Sequence, residues 1–342
     1  MTIDPARRVT IDDVARAAGV HKATVSRALN AETRHQVSSA TVERVEHAAE
    51  ELGYVPNAMA RGLRTSSSMT IGVIIPDLRN PFFPPIIRGI ENVLQPRGYT
   101  ALLANTDGSE AVERAGLASL LGRRVDGLIV ASGSRHESAL AEVHRAGVLA
   151  VMLNRDAGPI PYPLVTGNDA EGIAAAVHHL AGLGHRRVLH IAGPADFSTS
   201  RARTVAFEES AGALGREAVV VEAEALSVEA GQNAMDRVLM DGPPRPTAVV
   251  AGNDLLALGV LRSLRAHGLD CPGDVSVVGF NDMEFAQDFT PPLTTVRVPT
   301  LEMGAEAARL LLEAIASREQ EPITVRLPVS LIVRGSTGPA PV

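Results

Sequence analysis

The sequence predicts a small all-α head joined to an α/β body that contains two doubly wound lobes with parallel sheets. Three observations predict this fold class: short helical patterns fill the first 54 residues, a polar joint follows, and β-branched runs alternate with helical stretches from residue 69 onward. The chain has 342 residues, and a body of about 270 residues suits two lobes better than one. We therefore expect a head at 1–54, a joint at 55–68 and a body at 69–342.

The head is predicted to begin with two helices that cross at a tight turn. Thr10 followed by Asp13 is a capping-box pattern, which starts the first helix at Ile11. Gly19 supplies the permissive backbone for a turn, and the second helix is expected over about 22–29. Such a pair is the helix-turn-helix pattern, which is typical of DNA-binding proteins but also occurs in helical hairpins that bind no DNA.

A third helix is predicted after the N-cap residue Ser38, and it ends at Gly53. Small and aliphatic residues recur at helical spacing in all three helices, which lets them share one core. The residues expected in this core are Val14, Ala15, Ala18, Val20, Val25, Ala28, Leu29, Val42, Val45, Ala49 and Leu52.

The joint at 55–68 is predicted to hold a short helix over 58–64, capped by Asn57 and followed by three serines. Gly62 lowers the stability of this helix by about 1 kcal/mol relative to alanine. We therefore expect this helix to form only against a partner.

The body is predicted to contain short strands separated by helical stretches of ten to twenty residues, which indicates parallel sheets. The last eight residues, 335–342, are expected to be an untethered tail. The predicted strands are Thr70–Pro76, Thr100–Asn105, Gly127–Ala131, Val148–Leu153, Arg187–Ala192, Ala218–Val221, Ala248–Ala251 and Val275–Phe280.

Charge and composition exclude several classes of protein. Residues 1–65 carry nine basic and eight acidic residues, whereas the whole chain has a formal charge of −7, so any contact with DNA phosphates must be local to the head. A single cysteine, Cys271, allows no internal disulfide. Neither a membrane span nor a signal peptide is recognisable, and we expect a cytoplasmic protein with no cofactor and no metal site.

Polar residues at the predicted strand ends indicate a ligand cleft, because open α/β sheets bind ligands beyond the carboxyl ends of their strands. Amides and an arginine fix polar ligand atoms, and an aromatic ring covers an apolar face. For any single asparagine the alternative is a turn residue without a ligand. The candidates are Asn154, Asn253 and Asn281, with Arg203, Phe82 and Phe83 at the starts of helical stretches.

Seven segments occur together in an order that is more specific than any single motif. They are VTIDDVARAAGVHKATVSRALN (9–30), ATVERVEHAAEELGYVPNAMARGL (40–63), IGVIIPDLRNPFF (71–83), VDGLIV (125–130), GHRRVLHIAG (184–193), AGNDLLALGV (251–260) and VSVVGFNDM (275–283). With them the chain resembles the lactose-repressor (LacI/GalR) family of bacterial transcription regulators along nearly its whole length. The resemblance implies a homodimer with helix-turn-helix heads, a hinge helix and a periplasmic-binding-protein-like body.

The resemblance assigns the segment 22–30 to the recognition helix that enters the major groove. Lys22 can donate to guanine, whereas Ala23 offers only apolar contact. His21 departs from the small hydroxyl residue that is usual at its position. The DNA-contact residues implied for the head are Thr10, His21, Lys22, Ala23, Thr24, Ser26, Arg27 and Asn30.

In the joint, Asn57, Ala60 and Leu63 match the hinge pattern of the family. The resemblance implies that Leu63 inserts into the minor groove at the centre of the operator. Unstacking a base step costs a few kcal/mol, which the bend and its added contacts offset.

In the body, the effector pocket of the family corresponds to Phe82, Phe83, Asn154, Arg203, Asn253 and Asn281. Many relatives carry aspartate at the position of Asn281, and the chain has no tryptophan to stack on a sugar. The expected lobes comprise about 69–166 with 295–324, here the N-lobe, and about 167–294 with 325–336, here the C-lobe.

These observations predict a repressor that binds a palindromic operator as a dimer and responds to a sugar or related metabolite in the cleft between the lobes. Either an inducer or a corepressor is compatible with the pattern. The alternatives are a solute-binding protein without a DNA role, disfavoured by the head, and an α/β enzyme. The enzyme is disfavoured because the sequence contains neither a phosphate-binding loop nor a convincing catalytic triad.

Overall fold

The chain divides into two compact units, 1–68 and 69–342. The first is the helical head and the second is the α/β body. The computed structural model describes residues 9–30, 33–54, 67–132, 138–156, 158–241 and 245–341.

Three α-helices form the described part of the head: α1 (Ile11–Ala18), α2 (Lys22–Ala28) and α3 (Ser39–Glu51). The predicted capping box is confirmed at the start of α1. The Asp13 N–H donates to Thr10 Oγ1 at 3.4 Å, and the Thr10 N–H donates to Asp13 Oδ2 at 3.0 Å. Helix α1 ends at Gly19, whose φ of 64° is the left-handed conformation that glycine adopts without strain.

The head has one small apolar core, to which all three helices contribute. Val14, Val25 and Val45 are fully buried in it, as predicted from their spacing. Arg44 Nε of α3 donates to the Ala18 carbonyl at 3.1 Å and so satisfies one free carbonyl at the end of α1. The α3 N-cap differs from the prediction, because the Ser38 hydroxyl pairs with Thr41 Oγ1 at 2.9 Å and not with a backbone N–H.

The described part of the body contains two six-stranded sheets with helices between their strands. The strands are β1 (Thr70–Ile75), β2 (Thr100–Asn105), β3 (Gly127–Val130), β4 (Ala150–Leu153), β5 (Leu164–Gly167), β6 (Arg187–Ala192), β7 (Glu217–Glu222), β8 (Ala248–Ala251), β9 (Ser276–Asn281), β10 (Thr294–Arg297), β11 (Thr324–Leu327) and β12 (Ser330–Ile332). The helices are α4 (Phe83–Leu94), α5 (Glu110–Gly122), α6 (Ser138–Arg145), α7 (Asp169–Gly182), α8 (Ser198–Ala213), α9 (Val228–Asp241), α10 (Asp254–Ala266) and α11 (Thr300–Ser317).

The strand orders are those of doubly wound sheets. The first sheet runs β11-β5-β4-β3-β1-β2 and is parallel throughout. The second runs β12-β10-β9-β8-β6-β7, in which β12 alone is antiparallel to its neighbour. Strand order reverses between β1 and β3 and between β6 and β8, and ligands bind beyond the carboxyl ends of strands at such switch points.

Two strands lie in the other lobe from the one expected. The segment 295–324 was expected in the N-lobe and the segment 325–336 in the C-lobe, and both boundaries need correction. Strand β10 pairs with β9 and belongs to the C-lobe, whereas β11 pairs with β5 and belongs to the N-lobe. The chain therefore crosses between the lobes near 168, near 299 and near 328. These strands were missed because each is only four residues long and mixes polar with apolar residues, so its signal is short and weak.

Helix α11 packs against α4 and so returns the chain to the N-lobe after β10. Gly89 of α4 and Gly304 of α11 allow this close approach, because a Cβ at either position would clash with the backbone of the other helix. The N-lobe is therefore built from two separate parts of the sequence, which the packing of α4 on α11 holds together.

The C-terminal segment is docked on the C-lobe, so the expected untethered tail is wrong. The Val277 N–H donates to the Ser336 carbonyl at 2.7 Å, and the Ser336 hydroxyl donates to the Val277 carbonyl at 2.6 Å. The Ala340 N–H donates to the Leu183 carbonyl at 2.9 Å. Among the described helices, none is long and apolar enough to cross a membrane.

Candidate functional site

Helix α2 presents an exposed face that is polar apart from one alanine. His21, Lys22, Ala23 and Arg27 are exposed on or next to it. The opposite face is buried in the head core through Val25 and Ala28. Since residues four apart share a helix face, the residues 22, 23, 26 and 27 lie together on the outer surface of α2.

The two cations of this face differ in their partners. Lys22 Nζ lies 3.8 Å from Asp12 Oδ1, in a pair whose side chains are both more than half exposed. Such a pair contributes little and leaves the ammonium group available. An exposed arginine often serves in a surface salt bridge, and Arg27 forms none with the described residues.

His21 caps helix α2 with its ring. Its Nδ1 accepts the Ala23 N–H at 3.2 Å, which is the bond that serine or threonine usually makes at an N-cap. Because Nδ1 accepts, the proton of the neutral ring lies on Nε2, which remains available as a donor. The sequence departure at His21 thus preserves the cap by different chemistry.

The other DNA-contact candidates of the head have mixed positions. Thr24 and Ser26 lie half-buried within α2, and Asn30 follows the end of that helix. Thr10 is occupied by its capping box, and its hydroxyl donates to Asp13 Oδ2 at 2.6 Å. The hinge candidates Asn57, Ala60 and Leu63 lie outside the described residues.

Arg203 occupies the most constrained position in the predicted effector site. It projects from α8, the helix that follows the switch-point strand β6. Its Nε and Nη2 donate to Asp169 Oδ1 at 2.9 and 2.8 Å, and its Nη1 donates to the Gly252 carbonyl at 2.7 Å. The guanidinium carbon lies 3.8 Å from the centroid of the Phe280 ring. Arg203 thereby contacts the immediate neighbours of both Asn253 and Asn281.

Burial shifts two titrating groups around Arg203. Burial raises the pKa of Asp169, and the charge and hydrogen bonds of Arg203 oppose that rise. Burial also lowers the pKa of His190 to about 4, so this ring is neutral near pH 7. His190 donates from Nδ1 to the Val250 carbonyl at 2.8 Å and stacks on Phe207. Arg203, Asp169 and His190 therefore belong to a buried polar layer of the C-lobe.

The two asparagines of the C-lobe play different structural roles. Asn253 is almost fully buried, and its Oδ1 accepts the Leu256 N–H at 2.8 Å as the N-cap of α10. Asn253 thus has a structural role at the start of a helix, which needs no ligand. Asn281 ends β9 with a φ of 119°, and its buried Oδ1 has no hydrogen-bond partner among the described residues. An unpartnered buried acceptor requires explanation, and a ligand donor supplies one.

The N-lobe candidates are also unequal. Asn154 follows β4 in the left-handed conformation, with a φ of 66°, and it is half-buried. Phe82 and Phe83 contact each other edge to face, with ring centroids 5.3 Å apart, but both are at least nine-tenths buried in the hydrophobic core. Their rings therefore offer a ligand little more than an edge.

Sequence inspection missed three residues of the cleft region: Asp169, Arg155 and Phe197. Asp169 pairs with Arg203 from 34 positions away in the chain, a distance at which spacing gives no signal. Arg155 and Phe197 lie against each other where the two lobes face, with the guanidinium carbon 3.6 Å from the ring centroid. Arg155 directly follows Asn154, which was the one available signal.

Other polar clusters of the described residues have structural roles. His185 contacts Thr247 Oγ1, Ser276 Oγ and the Gly338 carbonyl, and within the described ranges no group of acidic, histidine or cysteine side chains could hold a metal ion. Burial raises the pKa of Cys271 to about 12, which makes it a poor nucleophile. Cavities of about 390 and 230 Å³ are lined by none of the effector candidates.

Two protein families match separate parts of the chain. Residues 10–57 match the family described as bacterial regulatory proteins of the lacI family. Residues 177–337 match a periplasmic binding protein-like domain. The first match covers the capped helices of the head, and the second covers most of the C-lobe together with the returning segments.

Individual proteins match almost end to end. The HTH-type transcriptional repressor CytR of Escherichia coli K12 is 35% identical over 337 residues, which cover 97% of each chain. A crystal structure of the lac repressor dimer bound to operator and the anti-inducer ONPF superimposes with a TM-score of 0.86 at 29% identity, covering 97% of this chain and all of that one. The complex of the transcriptional regulator CelR with cellobiose gives a TM-score of 0.73 at 34% identity, covering 96% of this chain and all of that one.

Proposed function

Because the chain belongs to the lacI family of bacterial regulatory proteins and is a transcriptional regulator, not an enzyme, we propose that it represses its target genes by binding a palindromic operator as a homodimer. A small molecule, a sugar or related metabolite, binds in the cleft between the lobes and changes operator affinity. The protein acts in the bacterial cytoplasm, at the nucleoid when operator-bound.

The exposed face of α2 is the observation that carries this proposal. Helix α2 is capped by His21, and its inner face packs in the head core. Arg27 forms no ion pair with the described residues that would compete with DNA. Lys22 is held only in an exposed pair. A helix that presents an arginine and a weakly paired lysine on its outer face suits insertion into the major groove.

Each head reads one half of the palindrome, and the dimer joins two weak contacts into one strong one. The hinge residue Leu63 is proposed to insert at the centre of the operator, with Asn57 and Ala60 supporting the hinge helix. We expect Leu63→Ala to weaken operator binding by a few kcal/mol without changing effector binding. A tetramer that persists on dilution in analytical ultracentrifugation would contradict the dimer.

Selection of bound fragments from the source genome, with the purified full-length chain, tests operator binding. We expect one palindrome to be enriched, with a central step suited to a leucine wedge. Arg27→Ala should lose that enrichment, whereas Arg34→Ala should keep it. Arg34 is the matched control because it carries the same charge on the same unit but pairs with Glu46 at 3.0 Å.

A polar layer at the switch point of the C-lobe supports the effector site, since Arg203 joins Asp169, Gly252 and Phe280 there. The unpartnered Oδ1 of Asn281 adds an acceptor for a ligand hydroxyl or amine. Calorimetry with cellobiose and a panel of mono- and disaccharides tests this site. Asn233 is the control, because it is an exposed asparagine on α9. Binding that is lost in Asn281→Leu but retained in Asn233→Leu supports the site. Equal binding by wild type and both variants would place the effector elsewhere.

A further inference from the structure

Two contacts join the lobes across the cleft, and both involve residues that directly follow Asn154. The guanidinium carbon of Arg155 lies 3.6 Å from the centroid of the Phe197 ring. The Asp156 N–H donates to Ser198 Oγ at 3.1 Å. The segment after β4 belongs to the N-lobe and the start of α8 belongs to the C-lobe. The lobes cannot separate at this edge without breaking both contacts.

The environment of the ring contact makes it stronger than an exposed one. Arg155 is only 6% exposed, although its side chain is charged, and Phe197 is half-buried. A guanidinium group that lies over an aromatic face is attracted by the ring quadrupole, and the attraction grows when water is excluded. From the usual strength of such contacts, we expect this one to favour the closed arrangement of the lobes by about tenfold.

Asn154 places this contact next to the proposed effector site. Its left-handed backbone, with a φ of 66°, turns the chain sharply after β4. Its N–H donates to the Val165 carbonyl at 2.7 Å, and its carbonyl accepts from Thr166 Oγ1 at 3.2 Å. Since the backbone of Asn154 is held on both sides, a ligand that contacts its side chain acts on a rigid segment whose next residue is Arg155.

We propose that Arg155 and Phe197 form a latch that holds the lobes closed over the cleft, and that the effector acts on operator binding by changing how often this latch is made. The proposal rests on the function proposed above, because it takes the cleft as the effector site. A ligand shifts two arrangements only by its difference in affinity for them. The latch sets the equilibrium from which that shift begins.

Amide hydrogen exchange on the full-length chain without DNA or added sugar tests the latch. The reporter is the Asp156 N–H, whose bond to Ser198 Oγ breaks when the lobes open. We expect Phe197→Leu to speed this exchange about tenfold, because leucine keeps an apolar side chain but removes the ring face. Phe197→Tyr is the matched control. Because tyrosine keeps the ring face, the Asp156 N–H of this variant should exchange at the wild-type rate.

Two results would overturn the latch. The first is an unchanged Asp156 rate in Phe197→Leu. The second is an equal acceleration at Val151, which lies fully buried in β4 and reports loosening of the whole N-lobe. A rise at Asp156 with an unchanged Val151 rate supports opening at the cleft.

Operator affinity tests the regulatory part of the proposal. With the operator fragment obtained by genomic selection, the Kd of Phe197→Leu should differ from that of wild type by as much as tenfold, and the Kd of Phe197→Tyr should not. Tighter binding by Phe197→Leu than by wild type would mean that the operator prefers the open arrangement of the lobes. Weaker binding would mean that it prefers the closed one. Faster exchange with an unchanged Kd would overturn regulation through the latch. If the wild type binds no fragment, the proposed function fails, whereas the exchange rates still decide whether the latch exists.

Discussion

Arg203 and Asp169 form a buried ion pair in which two nitrogens of one side chain meet a single oxygen of the other. Nε and Nη2 of Arg203 lie 2.9 and 2.8 Å from Asp169 Oδ1, and both side chains are at least nine-tenths buried. The pair joins α7 to α8, and the further bond to the Gly252 carbonyl joins both helices to the end of β8. Arg203, which the family resemblance assigns to the effector, is therefore also a structural brace of the C-lobe.

Truncation of Arg203 should destabilise the fold. Arg203→Ala leaves the carboxylate of Asp169 buried without its partner, so we expect the free energy of unfolding to fall by about 3–5 kcal/mol. Urea denaturation of the full-length chain measures this loss. A decrease below about 1 kcal/mol would mean that the ion pair is not a brace.

A double variant tests whether the loss of stability comes from the unpaired carboxylate of Asp169. Replacing both partners, Asp169→Leu with Arg203→Met, removes the buried charges together, and such exchanges are often nearly neutral. We expect the double variant to be more stable than Arg203→Ala. Arg201→Ala, on the same helix but away from the ion pair, should remain close to wild type.

The His21 cap on α2 gives a prediction for the head. His21→Ala removes the acceptor of the Ala23 N–H, so α2 should lose about 1 kcal/mol of stability. His21→Asn supplies a side-chain oxygen at the same position and should restore it. Hydrogen exchange of the α2 amides measures the change. Equal exchange in the alanine variant and the wild type would show that the imidazole cap has no energetic role.

His190 gives a prediction for pH dependence. Its pKa is lowered from 6.5 to about 4 chiefly by burial, so the unfolded chain binds the proton more tightly than the folded one. Its contribution to stability is complete above about pH 6.5 and is lost as the pH falls towards 4. The expected loss is about 3 kcal/mol across that window.

The pH dependence of Asp254 opposes that of His190, so the effect of His190 has to be measured as a difference between wild type and a variant that lacks it. Burial raises its pKa to about 7, so its contribution is complete below its unfolded value of 3.8 and is lost as the pH rises through 7. The two groups oppose each other over the same window. The unfolding free energy of wild type minus that of His190→Phe should therefore rise by about 3 kcal/mol between pH 4 and pH 6.5. A flat difference would mean that His190 does not stay neutral in the folded protein.

Local patterns in the sequence predicted the helices of the head and the apolar strands well. The Thr10–Asp13 capping box and the strands 100–105, 187–192 and 248–251 coincide with the prediction, because their signals lie within a few residues. The strands next to the lobe crossings, β10 and β11, were missed. Thr294 and Thr295 are fully buried in β10, but their hydroxyls are satisfied by residues about 40 positions away, which no local pattern reveals.

The candidate site shows the same limit. The positions of Asn154 and Asn281 after strands could be predicted, because strand ends are a local property of the chain. Their surroundings could not, because Phe197 and Asp169 reach the cleft from other elements. Phe82 and Phe83 were assigned to stacking on a ligand, and core packing buries them because they begin a helix beside the buried strand β1.

The docked C-terminal segment provides the last prediction. The fully buried hydroxyl of Ser336 accepts the Thr294 N–H at 2.8 Å and donates to the Val277 carbonyl at 2.6 Å. Ser336→Ala leaves a buried N–H of β10 without this acceptor, so we expect a loss of about 1–3 kcal/mol in the free energy of unfolding. Ser330→Ala is the matched control, because Ser330 is exposed on β12 in the same returning segment. Equal unfolding midpoints in urea for the two variants would mean that the segment is not bound to the C-lobe in solution, since only a docked Ser336 can leave Thr294 unsatisfied.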